Sequence, residues 1–68
     1  MMTMKEMKKA IVKSFKEVYG FAPTQKSIVP LESCGYDEAI EWMAFSIGGK
    51  GYAYKAYGTV ERAESYDM

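Results

Sequence analysis

Two adjacent glycines, Gly48 and Gly49, separate two runs rich in aromatic and branched side chains, 39–47 and the stretch beginning at Lys50. Turns whose twist matches that of the flanking strands need positive φ at their central residues, which glycine adopts at little cost, so this pair predicts a two-residue β-hairpin. Turn length sets the register. With Ile47 opposite Lys50, Phe45 faces Tyr52, Met43 faces Tyr54, Trp42 faces Lys55 and Ile40 faces Tyr57. Strand side chains alternate between faces, so one face is expected to gather Met43, Phe45, Ile47, Tyr52 and Tyr54. The other is expected to carry Ile40, Trp42, Ala44, Ala53, Lys55 and Tyr57.

A helix is available to cover one of these faces. Met4, Met7, Ile11, Phe15 and Val18 recur at intervals of three and four, while Lys5, Lys8, Lys9, Lys13 and Lys16 fill the rest of the circumference. This spacing predicts an amphipathic helix over about 4–19. Thr3 and Glu6 have the spacing of a capping box at its start, and Gly20 supplies a left-handed end. Phe21 can fold back on the last turn, and Pro23 prevents continuation. The helix is expected over the Phe45 face, where apolar side chains are more numerous and only tyrosine hydroxyls need a polar partner.

The remaining elements are shorter. Residues 21–26 read as a connector and 27–33 as a strand, with Pro30 marking it as an edge because proline cannot donate to a ladder on both sides. Cys34 to Asp37 reads as a turn, 39–47 as the second strand and 50–62 as a third, bent at Gly58. Residues 63–68 are expected to fray. The expected fold is α+β: one domain over 1–68, an N-terminal helix packed on a three-stranded antiparallel meander (αβββ). Met1 and Met2 are left out of this argument.

Composition narrows the chemistry. A chain of 68 residues buries about 60% of the surface it exposes when unfolded, so the core is thin and a homodimer is one expected route to stability. One cysteine, Cys34, permits no internal disulfide and no thiolate metal cage, and fits a reducing, cytoplasmic setting. The absence of histidine removes the commonest general base and the commonest nitrogen ligand. No apolar run approaches the roughly 20 residues a membrane span needs, so no membrane association is expected. No cofactor, metal site or catalytic residue follows from such a chain, and it reads as something other than an enzyme. Charge is polarised: residues 1–26 carry six lysines against Glu6 and Glu17, whereas 27–68 carry Lys50, Lys55 and Arg62 against seven acids.

Three surfaces are candidates for binding. The sheet face left bare by the helix, with Ile40, Trp42, Lys55 and Tyr57, combines the residue types that carry binding energy at protein interfaces. A crossing tail would cover it. The stretch Lys50-Gly51-Tyr52-Ala53-Tyr54-Lys55-Ala56-Tyr57 resembles the RNP1 strand of RNA-recognition motifs, with Lys55 where that family has an apolar residue. The resemblance implies that Tyr52 and Tyr54 stack on bases and that Lys50 holds a phosphate. The register instead buries both tyrosines, so the two expectations exclude each other. The helix lysines, Lys9, Lys13 and Lys16 among them, form a third surface that would attract polyanions.

The expected function is that of a small non-catalytic protein-interaction module, of the kind accessory and inhibitor proteins of phages and mobile elements look like. It would act through the Trp42 face, its strand edges or its polarised charge. The alternatives are a single-stranded nucleic-acid-binding module and a structural homodimerising subunit.

Overall fold

The computed structural model describes residues 2–68; Met1, set aside above with Met2, lies outside the described residues. One helix, α1 (Met4–Tyr19), packs on a four-stranded antiparallel sheet, β1 (Val29–Tyr36), β2 (Ala39–Ile47), β3 (Lys50–Lys55) and β4 (Glu61–Arg62), paired in chain order. Single 3-10 turns, Gln25–Ser27 and Glu64–Tyr66, precede β1 and follow β4. No helix among the described residues is long and apolar enough to cross a membrane.

The helix has the limits its sequence dictates. The Thr3 hydroxyl accepts from the Glu6 N–H at 3.2 Å, and Glu6 Oε1 accepts from the Thr3 N–H at 3.0 Å, which closes the capping box. The Thr3 N–H, with the Thr3 hydroxyl second, holds the Glu6 carboxyl below its ordinary range. Gly20 takes φ +87° and donates to the Lys16 carbonyl at 2.9 Å, while Phe21 meets Phe15 edge-on at 5.2 Å between ring centroids. Met7, Ile11 and Phe15 are buried, and Met4 and Val18 at the two ends stay partly exposed.

The hairpin register is the one expected from Gly48-Gly49. Both glycines take positive φ, +57° and +81°, and β2 pairs with β3 as Ile47 with Lys50, Phe45 with Tyr52, Met43 with Tyr54 and Trp42 with Lys55. Met43, Phe45, Tyr52 and Tyr54 therefore lie under α1 in one buried cluster with Met7, Ile11, Phe15, Ile28 and Val60. Ser14, the buried polar residue on the inner helix face, accepts the Val60 N–H at 2.9 Å, so Val60 enters the core without an unpaired backbone donor.

Several boundaries differ from the sequence expectation. The first strand runs 29–36 rather than 27–33, because Ile28 drops into the core and Cys34 to Tyr36 pair on with β2. The turn shrinks to Asp37 and Glu38, with Asp37 at φ +56°. Gly35 allows that pairing: a Cβ there would stand 1.9 Å from the Ala39 carbonyl oxygen. β1 is an edge strand, as Pro30 indicated, and Leu31 is an extra residue bulged out of its ladder.

The expected third strand, 50–62, ends at Lys55. There the Gly58 N–H bonds the Lys55 carbonyl at 2.8 Å around Tyr57, whose φ of +64° reverses the chain, and Glu61–Arg62 returns as β4 beside Tyr52 and Ala53. Ile40 consequently has no Tyr57 opposite it. It exchanges backbone hydrogen bonds with Met2 instead, at 3.0 and 2.5 Å, so Met2 belongs to the fold after all. Residues 63–68, expected to fray, cross the outer sheet face.

Candidate functional site

The outer face is built from alternate residues of β2 and β3: Trp42, Ala44 and Ser46 pair with Lys55, Ala53 and Gly51. Glu32 and Cys34 of β1 pair with Ala44 and Trp42 and continue it. Because β4 has only two residues, it leaves the Lys50 end of β3 without a strand neighbour. Ala63–Met68 supplies the missing partners. The Ala63 N–H donates to the Gly51 carbonyl at 3.0 Å, the Gly51 N–H to Asp67 Oδ1 at 2.7 Å, and the Met68 N–H to the Gly49 carbonyl at 2.8 Å.

A charged clamp and an aromatic contact complete the crossing. Arg62 grips Asp67 with both nitrogens, at 2.6 and 3.0 Å, in the two-pronged geometry that favours arginine over lysine. That bond, with the Gly51 N–H second, lowers the Asp67 carboxyl to a pKa of about 2. Arg62 also donates to the Gly51 carbonyl at 2.9 Å and lies 5.5 Å over the Tyr52 ring. Tyr66 sits 6.4 Å from Trp42 between ring centroids, and its hydroxyl donates to Glu32, which pushes the phenol pKa up.

The residues expected to form one partner-binding face are therefore dispersed. Trp42 is half-buried beneath Tyr66, and exposed Lys55 stands across from it. Both line a groove of about 400 Å³ with Ala53, Thr59 and Glu61. Ile40 is turned toward the core, because Glu41 is an extra residue on β2 relative to β1 and a one-residue slip reverses facing. Tyr57 is 75% exposed on the reversing turn and borders a different cleft, beside Lys13 and Glu17 of the helix.

The RNP1-like stretch is placed differently from an RNA-binding strand. Tyr52 and Tyr54 are 7% and 4% exposed, so neither offers a ring face to a base. Lys50 is exposed at the hairpin, and Lys9, Lys13 and Lys16 are exposed along the helix. The helix lies over the opposite surface from Gly51, so these cations do not converge with an aromatic platform.

Elsewhere, an open cleft of about 670 Å³ lies between Met2 and Tyr36, rimmed by Glu6, Asp37, Glu38 and Glu41. Among the described residues no group of three or more histidine, cysteine or acidic side chains is arranged to hold a metal ion. Cys34 is a free, exposed thiol on the edge strand. Sequence reasoning missed Glu32, Arg62, Tyr66 and Asp67. The signal was Gly51, since a glycine inside a strand often marks close approach by another stretch of backbone. A Cβ there would lie 2.4 Å from the Ala63 carbonyl oxygen.

No protein-family model matches the chain, and neither the curated proteins nor the solved structures contain one significantly similar to it.

Proposed function

We propose that this protein is a small non-catalytic interaction module that binds another protein along the free edge of β1. The observation that carries this reading is the edge itself. All eight residues of Val29–Tyr36 are exposed, β2 pairs along one side only, and the apolar side chains of Val29, Leu31 and Tyr36 are open to solvent, the first two in part and Tyr36 with 76% of its surface. An uncovered strand edge offers backbone donors and acceptors to an added strand, with side-chain contacts giving selectivity. Beside Tyr36 the acid-rimmed cleft gives this end a negative charge complementary to a basic partner segment.

The Trp42 face takes a lesser part than its residue types promised, because Tyr66 and its neighbours already lie across it. An accessory or inhibitor role, of the kind small phage and mobile-element proteins perform, is the form the reading takes. The setting in which it works is the cytoplasm.

The test is affinity capture with the tagged chain beside a Val29→Lys/Leu31→Lys variant, whose charges sit on the exposed edge. Surface substitutions of this kind shift stability by about 0.5 kcal/mol or less, so an unchanged melting curve verifies the fold. A partner retained by the parent chain and lost by the variant supports edge binding. Equal retention refutes it, and sedimentation equilibrium tells a foreign partner from a second copy.

A further inference from the structure

We propose that the outer sheet face and the adjoining open edge of β3 are a binding site for a protein segment carrying tyrosine followed by aspartate, a site that Ala63–Met68 fills in cis. Part of the receptor half is positioned by contacts outside its occupant. Arg62 is held by the Gly51 carbonyl at 2.9 Å and by the Tyr52 ring at 5.5 Å, and neither contact involves the crossing segment. Gly51 presents its N–H beyond the end of β4 and, lacking a side chain, leaves room for backbone and ring: a Cβ would fall 2.4 to 2.6 Å from Ala63 and Tyr66 atoms. Trp42 forms the apolar wall and Glu32 the acceptor at the far side.

The occupant shows which chemistry is read. Its aspartate satisfies the guanidinium and a backbone N–H together, its aromatic ring meets Trp42, and its hydroxyl reaches Glu32. A carboxylate offered to a preset arginine fork is recognised by shape as well as charge. A Met68 N–H to the Gly49 carbonyl, 2.8 Å, adds strand-like pairing, and the Ser46 hydroxyl lies 3.5 Å from the Met68 sulfur.

The same contacts make the occupant replaceable. Glu64, Ser65, Asp67 and Met68 are exposed and Tyr66 is only half-buried, so little buried apolar surface holds the segment down. A tethered ligand competes at an effective concentration on the order of millimolar, so an outside segment engages well only when the internal one is weakened. This site shares only Glu32 with β1, and Val29→Lys on the β1 edge lies away from it.

The experiment uses the full chain carrying Tyr66→Ala/Asp67→Ala, titrated with the synthetic peptide Ala-Glu-Ser-Tyr-Asp-Met. Emission of Trp42, the sole tryptophan, and the Gly51 amide resonance report occupancy. The expected result is a red-shifted Trp42 in the free variant and saturable recovery with peptide, at least tenfold tighter than to the parent chain. Peptides lacking the tyrosine or the aspartate are expected to lose that binding. Asp67→Asn alone gives the same readout should the double variant fail to fold. A folded variant whose Trp42 and Gly51 signals match the parent, or that shows no saturable response, overturns the proposal.

Discussion

Replacing Gly51 with alanine is expected to drive residues 63–68 off the outer face. The new Cβ would stand 2.4 Å from the Ala63 carbonyl oxygen, 2.5 Å from the Tyr66 Cβ and 2.6 Å from the Tyr66 carbonyl carbon. Two of those are backbone atoms, so no rotamer change relieves them. β3 cannot retreat toward the helix, because adjacent Tyr52 is wedged against Phe15 and Phe45 at 5.1 and 5.6 Å between ring centroids. The exposed segment on the other side yields instead. Keeping it in place costs about 1–3 kcal/mol of overpacking, whereas releasing it forfeits two backbone–backbone hydrogen bonds and the Gly51 N–H bond to Asp67, roughly 1 kcal/mol each, and the Arg62 clamp with them. The cheaper route sets the loss, about 1–3 kcal/mol, which lowers Tm by about 5–20 °C in a domain of this size. Thermal melts followed by circular dichroism and by Trp42 emission measure both the loss and its location. Gly20→Ala is the control: with φ +87° and nothing within 4 Å, it carries only left-handed strain of about 1–2 kcal/mol and leaves Trp42 emission unchanged. A Gly51→Ala chain with the parent Tm and Trp42 spectrum would refute the close approach on which this reasoning depends.

Two further outcomes follow from the same contacts. Asp67 is held at a pKa of about 2 against an ordinary 3.8, so its contribution to stability is complete above pH 3.8 and fades as pH falls through 2. The parent chain should show a Trp42 red shift over that interval, Asp67→Asn should show it at every pH, and identical profiles for the two would count against the clamp. In the core, Phe15 meets Tyr19, Phe21 and Tyr52 at 4.6, 5.2 and 5.1 Å. Phe15→Ala should cost about 3–5 kcal/mol, close to the whole stability of so small a core, and unfold the chain at 25 °C. Phe15→Leu should stay folded at a cost of about 1–3 kcal/mol, with urea denaturation separating the two.

Local features were legible because their causes are local. Thr3, Glu6 and Gly20 bracket the helix through bonds spanning three or four residues, and the positive φ of Gly48 and Gly49 sets a hairpin register within one turn. From these two elements the burial of Met43, Phe45, Tyr52 and Tyr54 follows, and with it the reason Tyr52 and Tyr54 are closed to base stacking. The path after Lys55 was not legible. Gly58 marked a bend there, but Tyr57 itself takes the left-handed position without being a residue type that signals one, and β4 is too short for any periodicity.

The amino-acid sequence by itself thus determined the helix, the central hairpin, their α+β packing and which hairpin face is buried. It did so because capping, turn chemistry and side-chain alternation act between neighbours in the chain. Tertiary structure alone decided that Ile40 turns inward, that Met2 joins the sheet, and that Tyr66 and Asp67 close over Trp42 and Gly51. Those outcomes depend on one bulged residue at Glu41, one reversal at Tyr57 and an arginine meeting a carboxylate at the open edge of β3. Their energies exist only once distant parts of the chain have been brought within a few ångströms, so the sequence marked only the close approach at Gly51 and not what makes it.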